Sequence, residues 1–278
     1  MKTTINLLSF VLLSFLFTSC ASTSYYQVYK VTPSKDMVVN KNTLIYEDEN
    51  CMVFYNLWSE GGDIGFQFYN KTNKVIQINM DKSYFIFNGI ANDYFKNRTF
   101  TNSKSSGATE ANTATASKFI PNANLFQLNK VEATKSSAAV SSNSYSVAIK
   151  ESKVINIPPH TTKVISEYII NKSPYRDCDL NRYPSTSKIE NKQFSKNESP
   201  IVFSNRINYN FLDSNELIEF ENEFYISEIS NYPEKHMFIY EQIEICGQKS
   251  LHKERIFKDI SPSKFYIQYY KGNDTWTH

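Results

Sequence analysis

An all-β fold, an Ig-like antiparallel β-sandwich, is what this chain predicts, and three observations carry the prediction. Apolar and polar residues alternate with a period of two over many short runs, and those runs are rich in β-branched and aromatic residues. Polar turn signals separate the runs at short intervals. Nowhere does a long, capped helix declare itself through a 3.6-residue apolar period.

The elements follow in order. Tyr25–Val31 is an apolar-rich run able to form a strand of the body. Cys51–Trp58 alternates, Ser59–Asp63 turns, and Ile64–Tyr69 returns with Ile64, Phe66 and Phe68 on one face. A second polar turn, Asn70–Asn73, leads to Lys74–Ile78 and then Ser83–Phe87, which ends at Asn88-Gly89. Residues 43–89 therefore read as consecutive antiparallel strands joined by short turns. A second β region opens near Lys153 with Val154–Ile157 and stops at Pro158-Pro159, which cannot donate within a central strand. Lys163–Ile170, Ile201–Phe203, Leu217–Ile226, Met237–Ile245 and Lys264–Tyr270 are the later strand candidates.

Residues 101–147 differ. They are dominated by Ser, Thr, Ala and Asn, too polar to bury a core. Lying between two β regions, the tract reads as a long loop within a single sandwich domain of residues 25–278; a linker between two domains is the rival. Its apolar islands, Phe119–Pro121 and Leu125–Leu128, are suited to docking on the body or on a partner.

The N-terminus is a targeting segment. Lys2 precedes an apolar stretch, Leu7–Phe17, too short for the roughly 20 residues of a membrane-spanning helix. Its exit, Phe17-Thr18-Ser19-Cys20, resembles a lipobox, in which the cysteine is acylated and the chain cut before it. Residues 1–19 are then a signal peptide, Cys20 the lipid attachment site and 20–24 a tether; an ordinary secretory signal with an incidental cysteine is the alternative. Four extended residues reach roughly 14 Å, so a body starting at Tyr25 sits near the bilayer.

Tyr25–Val31, Phe66–Lys74 and Ile157–Lys163 together resemble uncharacterised lipoproteins of gut Bacteroidetes with an Ig-like β-sandwich body. The resemblance covers much of the chain outside 101–147. It implies an envelope lipoprotein and brings no catalytic residues. In that group an acidic run after the cysteine resembles a surface-export tag. Here the first acid is Asp36, which favours the periplasmic face; the outer membrane is expected over the inner.

Composition narrows the partners. Without the signal peptide the chain has 259 residues, and losing Lys2 leaves 29 cations against 28 acids, a balance of +1. Nucleic acid, which favours a strongly basic surface, has no support. Glycine is scarce, and neither a phosphate loop nor a dinucleotide fingerprint is present. No motif calls for a cofactor. His160, His236, His252 and His278 have no metal-ligand spacing, and no nucleophile elbow occurs. Glu219, Glu221 and Glu223 share one strand face, as a calcium site, an acidic docking ladder or a solvated face paired with Lys.

With Cys20 acylated, Cys51, Cys178 and Cys246 remain. Cys51 opens a strand and suits burial. Cys178 and Cys246 are the pair suited to a disulfide, set against no bridge at all. Among 15% aromatics, Trp58, Tyr69, Tyr269, Tyr270 and Trp276 offer stacking faces for a sugar, or else fill the core. The expected function is therefore a membrane-anchored, non-catalytic module that binds an envelope protein. A glycan-binding lipoprotein using Trp58 and Trp276 is the alternative, and an enzyme comes third.

Overall fold

The computed structural model describes residues 24–34, 37–40, 42–105 and 144–272. The signal peptide, Cys20, residues 106–143 and Trp276 lie outside the described residues. No helix among the described residues is long and apolar enough to cross a membrane. The described chain is nearly all β, and its antiparallel sheets form a sandwich.

The strands in chain order are β1 (Ser24–Pro33), β2 (Val38–Asn40), β3 (Thr43–Glu47), β4 (Cys51–Tyr55), β5 (Phe66–Asn70) and β6 (Ile76–Asn79). Next come β7 (Tyr84–Phe87), β8 (Ile90–Asp93), β9 (Thr99–Ser105), β10 (Ser144–Lys150), β11 (Val154–Ile157) and β12 (Thr162–Ile165). The last are β13 (Asn191–Gln193), β14 (Val202–Phe211), β15 (Ile218–Pro233), β16 (Phe238–Ile245), β17 (Gln248–Phe257) and β18 (Lys264–Tyr270). A one-turn helix, α1 (Glu234–Met237), links β15 to β16.

One sheet runs β11-β6-β14-β15-β1-β18, with β7, β8 and β13 as side branches; the other runs β12-β5-β4-β3-β2. Rings close the space between them. Phe68 meets Tyr209 edge-on at 5.6 Å, Tyr55 meets Phe224 at 5.3 Å, and Tyr46 stacks on Phe220 at 4.9 Å. Such pairs add about 0.5–1.5 kcal/mol each beyond their burial. Burial alternates along β4, where Cys51, Val53 and Tyr55 point in.

The expected meander over 43–89 holds only through β3–β4–β5. At Asn70 the chain leaves one sheet for the other, because β5 pairs with β12 while β6 pairs with β11 and β14. The β11–β12 connection turns the same corner, where Pro158 and Pro159 cannot donate to a ladder. The buried Asn70 side chain ties the two together. Its Nδ2 donates to the carbonyls of Lys74 at 2.7 Å and Ile157 at 3.1 Å, and its Oδ1 accepts from the Thr72 N–H.

β15 lies inside the long sheet, paired with β14 along its first half and with β1 along its second. Phe220, Asn222, Phe224 and Ile226 face inward while Glu219, Glu221 and Glu223 face out. A bulge then re-phases the strand. Lys30 pairs with Glu228 and Val31 with Ile226, which leaves Ser227 opposite no residue of β1. The extra residue makes Ile226 and Ile229, three apart, both buried.

β9 and β10, at the ends of the 101–147 tract, pair antiparallel from Thr99↔Lys150 to Ser105↔Ser144, so the tract leaves and rejoins the body at one place. Strands from either side of it share both sheets, as in β5–β12 and β6–β11. Arg98 anchors the ribbon's base, reaching Glu151 at 2.5 Å and Glu167 at 2.7 Å.

Candidate functional site

Two features stand apart from the packed core: a projecting hairpin and a cavity under a loop. The hairpin is β16–β17, which pairs only with itself. Its turn is Cys246-Gly247, with φ of 54° and 79°. Two successive left-handed residues make the primed turn whose twist suits a tight hairpin, and glycine serves the second position without strain. At its base Phe238 and Phe257 pack on Tyr26, with ring centroids 5.3 and 6.1 Å away. From residue 240 to 255 every residue but Ile243 and Ser250 is exposed, including Tyr240, Ile245 and Leu251, the last at 92%. Eight residues of β16 reach roughly 26 Å at about 3.3 Å each.

The cavity forms where the connection from β12 to β13 crosses the ends of β1, β15 and β18. Local side chains shape that connection. The Asn171, Asp177 and Asn181 side chains each accept from the N–H two residues on, turning the backbone without a ladder. Gln27 on β1 is buried and clamps Tyr175 from both sides. Its Oε1 accepts from the Tyr175 N–H at 2.6 Å, and its Nε2 donates to the Tyr175 carbonyl at 2.9 Å. The same Nε2 donates to Asn231 Oδ1 at 2.9 Å, and Asn231 Nδ2 donates to the Asn181 carbonyl. The Tyr29 hydroxyl donates to Gln27 Oε1. Burial raises the Tyr29 phenol's pKa far above its ordinary value, which keeps the proton there for that bond. On β18 the Tyr269 hydroxyl donates to the Arg182 carbonyl at 2.5 Å. Three adjacent strands thus hold loop positions 175, 181 and 182, and a cavity of about 350 Å³ remains beside them.

The cavity's charges come from the loop. Arg176, Arg182 and Asp177 line it, with Cys178 beside them. A hydrogen bond from Lys192 Nζ at 2.6 Å holds the Asp177 carboxyl below its ordinary range. The Arg182 guanidinium lies 5.2 Å from the Tyr183 ring centre and 5.9 Å from that of Tyr269.

The cysteine bridge expected from the sequence is not formed. Cys178 and Cys246 are free and exposed, Cys178 in the cavity loop and Cys246 at the hairpin tip. The two thiols sit on separate elements, the connection from β12 to β13 and the tip of the β16–β17 hairpin. Cys51 is free and buried, and desolvation together with Asp48 pushes its thiol far up.

Trp58 is half-buried at the hairpin base, where its ring meets Phe257 edge-on and Tyr266 at a tilt, both at 5.2 Å. Trp276 lies outside the described residues. Tyr269 lines the cavity, while Tyr69 and Tyr270 do not. The three acids of β15 are engaged: Glu221 by Arg206 at 2.8 Å, Glu223 by Lys196, and Glu219 by Asn208 Nδ2 at 3.0 Å. The cross-strand cation is therefore Arg206 on β14, not a lysine of a neighbouring strand. Among the described residues no three His, Cys, Asp or Glu side chains converge as metal ligands.

The sequence offered no direct sign of the cavity, since Gln27, Asn231 and Arg182 come from distant stretches. The dense run Asn171–Tyr183, with the four acids and amides Asn171, Asp177, Asp179 and Asn181 in a loop setting, was the one available signal. Comparison of the chain with protein families, with curated proteins and with solved structures finds no match.

Proposed function

We propose that the chain is a membrane-anchored, non-catalytic lipoprotein, an interaction module of the cell envelope, and that the β16–β17 hairpin is its contact element. The observation that carries the reading is the hairpin itself. Exposed Tyr240, Ile245 and Leu251 stand on an arm whose two strands pair only with each other, and exposed large apolar side chains on such an element suit a contact surface. The lipobox-like exit at Cys20 supports the anchor, and the resemblance to envelope lipoproteins of gut Bacteroidetes agrees with it. β1 begins at Ser24, so the tether from Cys20 is short and the sandwich rides close to the bilayer. The outer membrane's periplasmic face is the location this reading takes.

Two experiments test the two halves. Palmitate labelling in cells reads the anchor: incorporation that disappears in Cys20→Ala supports it, and labelling unchanged by that substitution contradicts it. A photo-crosslinker at Leu251 reads the contact. A specific envelope protein captured there, absent with the crosslinker at exposed Lys163, and lost in a Tyr240→Ala, Ile245→Asp double variant of unchanged melting temperature, supports the reading. Equal capture from both positions refutes it.

A further inference from the structure

We propose that the cavity under the 171–182 loop is a binding site for a small carboxylate with a flat apolar body. The inference stands apart from the hairpin reading, because the hairpin base packs on Tyr26 while the cavity is floored by Gln27, its neighbour on the opposite face of β1.

Size is the first argument. About 350 Å³ lies at the lower end of the roughly 300–1,000 Å³ of small-molecule sites. Preorganisation is the second. The loop is fastened to three strands through Gln27, Asn231 and Tyr269, so the space exists without a ligand to open it. The third is the chemistry of the wall. Leu180, Pro174 and the rings of Tyr175 and Tyr269 supply apolar surface for a flat body. The polar atoms of the floor, on Gln27 and Asn231, are turned to each other and to the loop backbone. Ligand recognition by charge therefore falls to Arg176 and Arg182. A guanidinium carries five N–H donors in a planar fork matched to a carboxylate, so each can engage one alongside its existing contacts. Asp177, the acid in the wall, is already joined to Lys192 and to the Tyr175 hydroxyl. A cationic ligand would meet two guanidiniums with no carboxylate to spare for it. A neutral one would gain the rings alone.

The protein contains its own reporter. Cys178 lines the cavity as a free thiol, and Cys246, free at the hairpin tip, serves as internal control. The full-length protein is treated with iodoacetamide in the presence of phenylacetate, phenylacetamide or phenethylamine, and alkylation at each cysteine is followed by mass spectrometry. Phenylacetate should slow alkylation at Cys178 as a single site does, about threefold when the probe stands at about twice its Kd. It should leave Cys246 unchanged, and the amide and amine should protect far less. In an Arg176→Gln, Arg182→Gln double variant with unchanged melting temperature, the phenylacetate protection should vanish. Equal protection by all three probes would overturn the carboxylate assignment. Protection persisting in the double variant would overturn the role of the arginines. No protection at millimolar phenylacetate would overturn the site.

Discussion

Gln27→Leu tests the loop clamp directly. The substitution keeps approximate size and removes every polar atom from a side chain only 1% exposed. Four hydrogen bonds disappear, but not every partner is orphaned. The Tyr175 N–H retains the Tyr29 hydroxyl at 2.9 Å, and Asn231 Nδ2 retains the Asn181 carbonyl. The groups left without a described partner are the Tyr175 carbonyl, Asn231 Oδ1 and the Tyr29 proton. Each unpaired buried group costs about 1–3 kcal/mol, and relaxation of the half-exposed loop holds the total near the low end, about 3 kcal/mol. In a domain of this size each kcal/mol lowers the melting temperature by about 2–4 °C, so a drop of roughly 6–12 °C is expected. Thermal unfolding measures that drop, and hydrogen exchange of residues 171–182 locates it, with exposed Lys163→Ala as control. A drop no larger than the control's, with exchange in 171–182 unchanged, would refute the clamp.

Three further outcomes are expected. Tyr55→Phe removes the buried hydroxyl that accepts from Asn222 Nδ2 at 2.9 Å, and denaturant unfolding should show a loss of about 1–3 kcal/mol. Glu151 is held below its ordinary value of 4.5, since hydrogen bonds from Arg98 and from the Lys96 and Arg98 N–H groups outweigh desolvation. Its contribution is present above 4.5 and lost as pH falls through the lowered folded value, so stability measured against pH should fall more steeply below 4.5 in the parent than in Arg98→Met. Thiol titration with an aromatic disulfide should find Cys178 and Cys246 fast and Cys51 silent until unfolding, and reductant should leave the melting temperature unchanged because those thiols are unbridged.

Strand reading succeeded where burial alternates with side-chain polarity. The first part of β15 is legible because Ile218, Phe220, Phe224 and Ile226 share one face and Glu219, Glu221 and Glu223 the other, while β4, apolar throughout, is legible as a short apolar run. It failed at β14, read only at its start. Val202–Phe211 spreads Asn205, Asn208 and Asn210 through the strand, and asparagine is a poor strand former. These carboxamides are buried because the fold gives them partners. Asn205 accepts from the Tyr94 hydroxyl at 2.6 Å and donates to the Ile64 carbonyl at 3.0 Å. Both partners of Asn205 lie more than a hundred positions away in the chain, beyond any local pattern. The same limit hid the corner at Asn70, which looks like a hairpin turn until the Ile157 carbonyl is seen against its side chain.

The amino-acid sequence alone determined the fold class and the inward faces of β5 and of the first part of β15, which follow from period-two alternation of residues close in the chain, and it marked Cys51, at the head of an apolar run, for burial. It also marked the segment before Cys20 as too short to span a bilayer. Only the tertiary structure decided how the strands divide between two sheets, that Cys178 and Cys246 are unbridged, and that β16 and β17 pair only with each other, leaving Tyr240, Ile245 and Leu251 exposed. It alone placed Gln27, Asn231 and Tyr269 under one loop. The physical reason is common to all of these: each depends on pairings between residues far apart in sequence, and alternation, a local property, says which face a residue takes but not what it faces.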